Sequence, residues 1–250
     1  RIQVPDVMVT YADGKYHMVF DWVPDNFDWR HAAQSGLGYA VADRPEGPFI
    51  VSETPVKINT QYKQKPLLNR YWRMYAPMIV KRKNDWALIY MMDSAPARSW
   101  ALAVSTASKP EGPYSDTKIM LNVEKKTNYP PLQEYFPAFI HDGYVYFPGT
   151  SVSINRNYQS VYRVKIEDMT DADKYEIFGA GSFWHSVNVE NEYAGIWGQT
   201  FTGFIDDKDS IYVMFPSKDP KDYGTINLAK ASWNHLFREK GFNLAANGGN

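Results

Sequence analysis

The sequence predicts an all-β fold, a five-bladed β-propeller with four blades readable in this chain. Three observations predict it. The tetrapeptide Pro-Glu-Gly-Pro occurs at residues 45–48 and again at 110–113, 65 residues on, each time followed by an aromatic residue, Phe49 or Tyr114. Four longer segments share one plan, an apolar run holding a Pro or Gly, then a tight turn, then an aromatic-rich run. Helical periodicity is thin throughout. Self-similarity on this scale marks propellers, solenoids and arrays.

The units follow in order. In the first, residues 4–9 precede the turn Asp13-Gly14 and a strand at 16–20. In the second, residues 75–80 precede Asn84-Asp85 and a strand at 86–91. The third runs through 135–140, Asp142-Gly143 and 144–147. The fourth runs through 196–201, a turn near 207–209 and 211–215. The anchors Pro5, Pro77, Pro137 and Gly198 lie 72, 60 and 61 residues apart. Asp-Gly between alternating runs is a strong hairpin signal, because both central residues of the turn need positive φ. Pro is tolerated at a strand's first residues or edge, so the shared Pro is expected to mark where each inner strand begins. Residues 161–164 read as strand, 164–169 could make a single turn of helix, and 171–173 form a polar turn.

Composition narrows the function classes. The 250 residues, read with the repeat, fit a single domain over 1–250. The chain opens almost inside a strand and ends Gly-rich, which reads as a piece of a longer polypeptide with one blade lost or built from the two ends. A net charge of -1 gives no electrostatic case for a nucleic-acid partner. No apolar run approaches the roughly 18 residues of a membrane span, so no membrane partner is expected. The absence of Cys excludes disulfide and thiolate chemistry. Aromatics make up 16% of the chain, and most are expected in cores and cross-strand pairs. No nucleophile elbow, Walker loop or dinucleotide fingerprint is present. Oligomeric state is not legible.

Long loops are expected at 22–36, 52–72, 115–133 and 179–195; long loops on a compact scaffold are usually functional or disordered. Their Trp, Tyr, Arg, His and Asn content argues against disorder. In a propeller the inner strands converge on a channel, and residues just before each inner-strand Pro build the mouth. Those are Gln3 and Val4, then Arg73, Met74 and Tyr75, then Glu134, Tyr135 and Phe136, then Gly195, Ile196 and Trp197, with Gln199 just after.

The ordered set of Asp13-Gly14-Lys15-Tyr16, Tyr75-Ala76-Pro77, Glu134 near Pro137, Asp142-Gly143-Tyr144 and the two Glu-Gly-Pro-aromatic segments resembles glycoside hydrolase family 43, the five-bladed propeller glycosidases, over about residues 1–230. The resemblance implies a carbohydrate substrate, hydrolysis by carboxylates, no cofactor (a structural calcium stays open), and secretion or a periplasmic location. The chain departs from the family pattern at the catalytic positions. Val4 stands where the family carries its base Asp before the first Pro, with Asp6 just after it. Met78 stands where an Asp follows the second Pro. Glu134 lies three residues before the third Pro rather than two, and Gly198-Gln199 replaces a His-bearing motif. The chain reads as a divergent relative.

Glycoside hydrolysis needs two carboxyl groups flanking the bond, one protonated and one ionised, about 5 Å apart for retention and about 6.5–9.5 Å for inversion. Glu134, among Tyr129, Tyr135 and Phe136, is the candidate acid. Asp21, followed by Trp22 at a strand's end, and Asp6 are candidate bases; a turn-capping role is the plain alternative for Asp21, and an inter-blade hydrogen-bond acceptor for Asp6. The dense polar-aromatic stretch 183–200 contributes His185, Glu190, Glu192, Trp197 and Gln199, which with Trp22, Arg73, Tyr75 and Tyr135 suit sugar rings and hydroxyls. A metal on His185 with Glu190 or Glu192 would rest on a single His, so no metal site is assigned. Arg70, Arg73 and Arg156 could grip an acidic sugar or lie on the surface. Two rivals stand beside the hydrolase: a non-catalytic sugar-binding propeller, favoured by Val4 and Met78, and a protein-interaction propeller, which needs an exposed apolar patch.

Overall fold

A computed structural model describes residues 2–3, 6–24, 36–59, 74–94, 99–122, 134–135, 138–150, 159–181, 203–207, 210–219 and 222–232. Contacts divide the chain into two units. Unit 1 is Arg1–Lys126 with Ile166–Lys174, and unit 2 is Thr127–Lys165 with Tyr175–Asn250.

Unit 1 holds two antiparallel blades. The first comprises β1 (Ile2–Gln3), β2 (Met8–Ala12), β3 (Lys15–Pro24), β4 (Gly36–Ala42) and β5 (Ile50–Val51). Both β1 and β2 pair with β3, so they are two halves of one inner strand. The expected hairpin forms at Asp13-Gly14, where φ is +49° and +76°. Positive φ at both central residues matches the strand twist, and Asp and Gly are the residues that tolerate it. The second blade comprises β6 (Met74–Lys81), β7 (Trp86–Ser94), β8 (Ser99–Ala107) and β9 (Ser115–Asn122). Its inner hairpin is closed by four residues, 82–85, rather than by Asn84-Asp85 alone. The Arg82 guanidinium clamps that loop with a bidentate pair on Asp85, at 2.7 and 2.6 Å. The long loop expected at 115–133 is corrected in its first part, since β9 occupies Ser115–Asn122.

The repeated tetrapeptide has one conformation in both places. It joins β4 to β5 and β8 to β9. Gly47 and Gly112 have φ of +84° and +88°, each followed by a cis bond to Pro48 or Pro113. Their N–H groups donate to the Arg44 and Lys109 carbonyls at 3.0 and 3.1 Å. Tyr114 then turns inward, fully buried, and its hydroxyl donates to the Pro110 carbonyl at 2.6 Å.

The blades of unit 1 pack through β3. Side chains alternate along a strand, so His17, Val19 and Asp21 share the face that meets the second blade, where Val19 joins Leu37, Tyr39, Ile79, Trp86, Leu88 and Tyr90 in one core. Fully burying a side chain of this size stabilises by roughly 1.5–3 kcal/mol. On the opposite face Phe20 lies directly across from Gly38, and a Cβ there would run into its ring. In the second blade the Tyr90, Ser105 and Thr117 hydroxyls bond one another at 2.8–3.2 Å, which satisfies three buried polar groups together.

Unit 2 holds a third blade of β10 (Glu134–Tyr135), β11 (Phe139–His141), β12 (Tyr144–Thr150), β13 (Gln159–Lys165) and β14 (Glu176–Gly181). Asp142-Gly143 repeats the left-handed pair, at +46° and +74°. Phe139 stacks on its cross-strand neighbour Tyr146 at 4.9 Å, and Arg163 lies over the Tyr144 ring at 4.7 Å. A three-stranded sheet follows, of β15 (Gly203–Asp207), β16 (Ser210–Asp219) and β17 (Asp222–Ser232). The fourth inner run expected at 196–201 lies outside the described residues; the partner of the expected strand 211–215 is β15. Helix among the described residues amounts to two short 3-10 turns, Ile166–Asp168 and Ala172–Lys174. Neither is long or apolar enough to cross a membrane.

His17 sets the acid limit of this packing. It is 4% exposed, edge-on to Trp86 at 4.8 Å. Its Nε2–H donates to the Ala12 carbonyl at 3.2 Å, which leaves Nδ1 to accept the Tyr39 hydroxyl at 2.7 Å. Burial holds its pKa below the usual 6.5, against the opposing pull of the Ala12 carbonyl, Asp13 and Glu111. A neutral group whose folded pKa is depressed contributes stability that is full above the unfolded value and is lost as pH falls towards the folded one. The thermal midpoint is therefore expected to drop as pH falls from 7 to 5, and His17→Gln to flatten that segment; an equal pH slope in both proteins would contradict it.

Candidate active site

One irregularity recurs in three blades. Between Gln3 and Met8 the inner chain has four residues, while β3 has three between Val19 and Val23. Between Tyr75 and Met78 there are two residues, Ala76 and Pro77, against the single Tyr90. Between Tyr135 and Phe139 there are three, against Phe147 and Pro148. Each inner strand thus carries one extra residue within a span whose sequence contains its Pro. The expectation that Pro marks a strand's beginning is corrected in β6, where Pro77 lies inside the strand at its bulge. Pro has no N–H to give the ladder, and a bulge is where the ladder does not need one. A bulge also bends its strand and re-aims its side chains.

The backbone at two of these breaks is left-handed. Asp6 has φ of +50°, as has Ala76. Asp visits that region more readily than most residues, whereas Ala carries the steric cost of its Cβ, about 1–2 kcal/mol. Ala76 is held by its neighbour. Its N–H donates to Asp21 Oδ1 at 3.0 Å, and both residues are 1% exposed. A buried hydrogen bond contributes about 0.5–1.5 kcal/mol net, comparable with that strain. Asp21 is therefore an inter-blade acceptor in this unit, a role that the residues alone had suggested for Asp6. A second inter-blade bond runs from the Thr10 hydroxyl to the Ile79 carbonyl at 2.7 Å.

The expected site residues fall as follows. Asp21 and Trp22 lie near the end of β3, opposite Leu37 and Gly36, with Trp22 half-buried and stacked on Phe20 at 6.2 Å. Asp6 is half-buried in the break between β1 and β2. Tyr75 is 1% exposed, one residue before the left-handed position. Glu134 and Tyr135 form β10, opposite Thr150 and Gly149. In each blade the pair before the break, Ile2-Gln3, Met74-Tyr75 or Glu134-Tyr135, thus occupies the hairpin end away from the tight turn. Arg73, His185, Glu190, Glu192, Trp197 and Gln199 lie outside the described residues. Met78, in the place of a family Asp, is 5% exposed within β6. Among the described residues no group of three His, Asp or Glu could hold a metal ion. Sequence reasoning missed Ala76, because nothing in an alanine betrays a positive φ, and missed His17, which hides in a regular alternating strand.

No protein-family model matches the sequence, and no curated protein matches it. Solved structures do. A family 43 β-1,3-galactosidase with galactodeoxynojirimycin superposes with a TM-score of 0.59 at 11% identity, over 91% of this chain and 72% of that one. A family 43 enzyme from Xanthomonas citri, complexed with xylose, gives 0.55 at 14%, over 91% and 73%. The chain has the β-propeller fold of the family 43 glycosidases. An endo-arabinase from Bacteroides thetaiotaomicron gives 0.54 at 11% identity, over 92% of this chain and 75% of that one. At these identities the likeness is one of fold, and it agrees with the resemblance read from the hairpins and the inner-strand prolines.

Substitution at the left-handed position tests this geometry. Ala76→Val is expected to destabilise by roughly 2 kcal/mol or more, because a β-branched side chain fits φ of +50° poorly. Ala76→Gly is expected to stay within about 1 kcal/mol, relief of strain offsetting the lost methyl and added chain entropy. Urea midpoints of the two variants check this, and equal midpoints would contradict it.

Proposed function

We propose that the chain is a glycoside hydrolase that acts on a plant or algal poly- or oligosaccharide by carboxylate acid/base catalysis. The observation that carries this reading is the place of Glu134, which with Tyr135 precedes its inner-strand break as Ile2-Gln3 and Met74-Tyr75 precede theirs. That placement puts a Glu at the hairpin end away from the tight turn of its own blade, the end that this reading takes as the mouth. In this reading Glu134 protonates the leaving oxygen and Asp6, re-aimed by the break, serves as the base. Trp22 offers a ring for a sugar face, and Arg73, Tyr75, Tyr135, His185, Glu190, Glu192, Trp197 and Gln199 hold hydroxyls or pack beside them. The solved relatives in fold, one with galactodeoxynojirimycin and one with xylose, support a carbohydrate ligand. Secretion or a periplasmic location goes with such a substrate.

One observation favours a second reading, a sugar-binding propeller without turnover. Met78 stands buried where the family places an Asp. The two readings separate in one assay on a panel of plant and algal oligosaccharides. The hydrolase reading expects wild-type turnover that falls about 10²–10⁴-fold in Glu134→Gln, with oligosaccharide binding kept. Turnover indifferent to that substitution would move the acid to Glu190 or Glu192. Binding of one glycan with no turnover by the wild type would make the sugar-binding reading the correct one.

A further inference from the structure

We propose that Asp21 is a positioning residue, whose carboxylate locks the left-handed bulge of the adjacent blade and so fixes how that blade presents its rim. The proposal rests on the glycosidase reading for its kinetic consequence only. Of the two extra-ladder residues in β6, Pro77 has no N–H, so Ala76 supplies the one donor at the bulge. That donor points at Asp21 Oδ1, 3.0 Å away, on the strand of the neighbouring blade. Asp21 lies on the β3 face that packs on the second blade, two residues from Val19 in the shared core, and is 1% exposed. A buried carboxylate bonded to a strained backbone N–H is placed to hold a conformation. Tyr75 immediately precedes the locked residue and is itself buried, so a rotation at Ala76 moves the Met74-Tyr75 end of β6. Strain held by a specific partner at a rim is the arrangement by which folds pre-organise a site.

The lock needs an acceptor at Oδ1 rather than a negative charge, which separates it from a base. Asp21→Asn keeps a carbonyl there; Asp21→Ala removes it. The positioning role predicts that Asp21→Asn keeps kcat within about fivefold of wild type, with both limbs of the pH–rate profile in place. It predicts that Asp21→Ala loses about 10²-fold in kcat, the cost of a roughly 1 Å misplacement. The Ala76 amide, read by hydrogen exchange on the full chain, should stay protected in wild type and Asp21→Asn and exchange at least about tenfold faster in Asp21→Ala. Should Asp21→Ala fail to fold, Asp21→Asn still decides. A loss in Asp21→Asn of about 10²-fold or more, with the acid limb gone and Ala76 still protected, would make Asp21 the base and overturn the proposal. Unchanged Ala76 exchange in a folded Asp21→Ala would overturn it as well. If the wild type hydrolyses nothing, the glycosidase reading falls alone, and exchange at Ala76 still tests the lock.

Discussion

A β-ladder that must take in one extra residue cannot stay regular, and that constraint organises this fold. In three blades the inner strand has a residue more than its partner, each time in a span whose sequence contains the proline. The missing proline N–H and the surplus residue suit each other, since a bulge is where a strand can do without a donor. The consequence is a change of direction partway along the inner strand. On one side of the break the strand runs regularly to a tight turn. On the other side lie short terminal segments, Ile2–Gln3 and Glu134–Tyr135, or the first residues of β6. The chemistry proposed for the chain draws on that second side.

Stability and site geometry meet in one strand. Along β3, His17, Val19 and Asp21 face the second blade in succession, and each does a different task. Val19 adds apolar burial. His17 joins the Tyr39 hydroxyl to the Ala12 carbonyl and must stay neutral to do so. Asp21 brings a carboxylate into the same interface and sets it on the Ala76 N–H. A buried acceptor of this kind is stabilising only because its donor is fixed in place. The bulge therefore belongs to two blades at once, being made by the sequence of one and held by the other.

The fold was legible where backbone chemistry is written in residue type. Asp13-Gly14 and Asp142-Gly143 announce left-handed turns, and both form them. The two Pro-Glu-Gly-Pro segments announce equal conformations and have them. What was not legible depended on register between strands. The role of Pro77 inside a strand follows from the count of residues opposite it, which no local propensity reveals. Ser115–Asn122 read as loop because polar residues interrupt its apolar pattern: Asp116 and Lys118 are exposed, while buried Thr117 faces other hydroxyls. An inter-blade acceptor lies at Asp21, fifteen residues beyond the Asp6 for which the sequence had suggested that role. A carboxylate in an alternating strand looks like a solvent-facing residue until its neighbour is known. For the site, the carboxylates could be named from sequence, whereas their division between holding the backbone and meeting a ligand needed the hydrogen bonds.

The central claim is that ligand chemistry takes place at the hairpin ends beside the inner-strand breaks, away from the tight turns. A crystal structure of Glu134→Gln with a bound oligosaccharide tests it most directly. The account predicts a sugar in contact with residue 134, with a glycosidic oxygen within about 2.6–3.2 Å of the substituted side chain. A sugar seated instead at the turn ends, by Asp13-Gly14 or Asp142-Gly143, would contradict it.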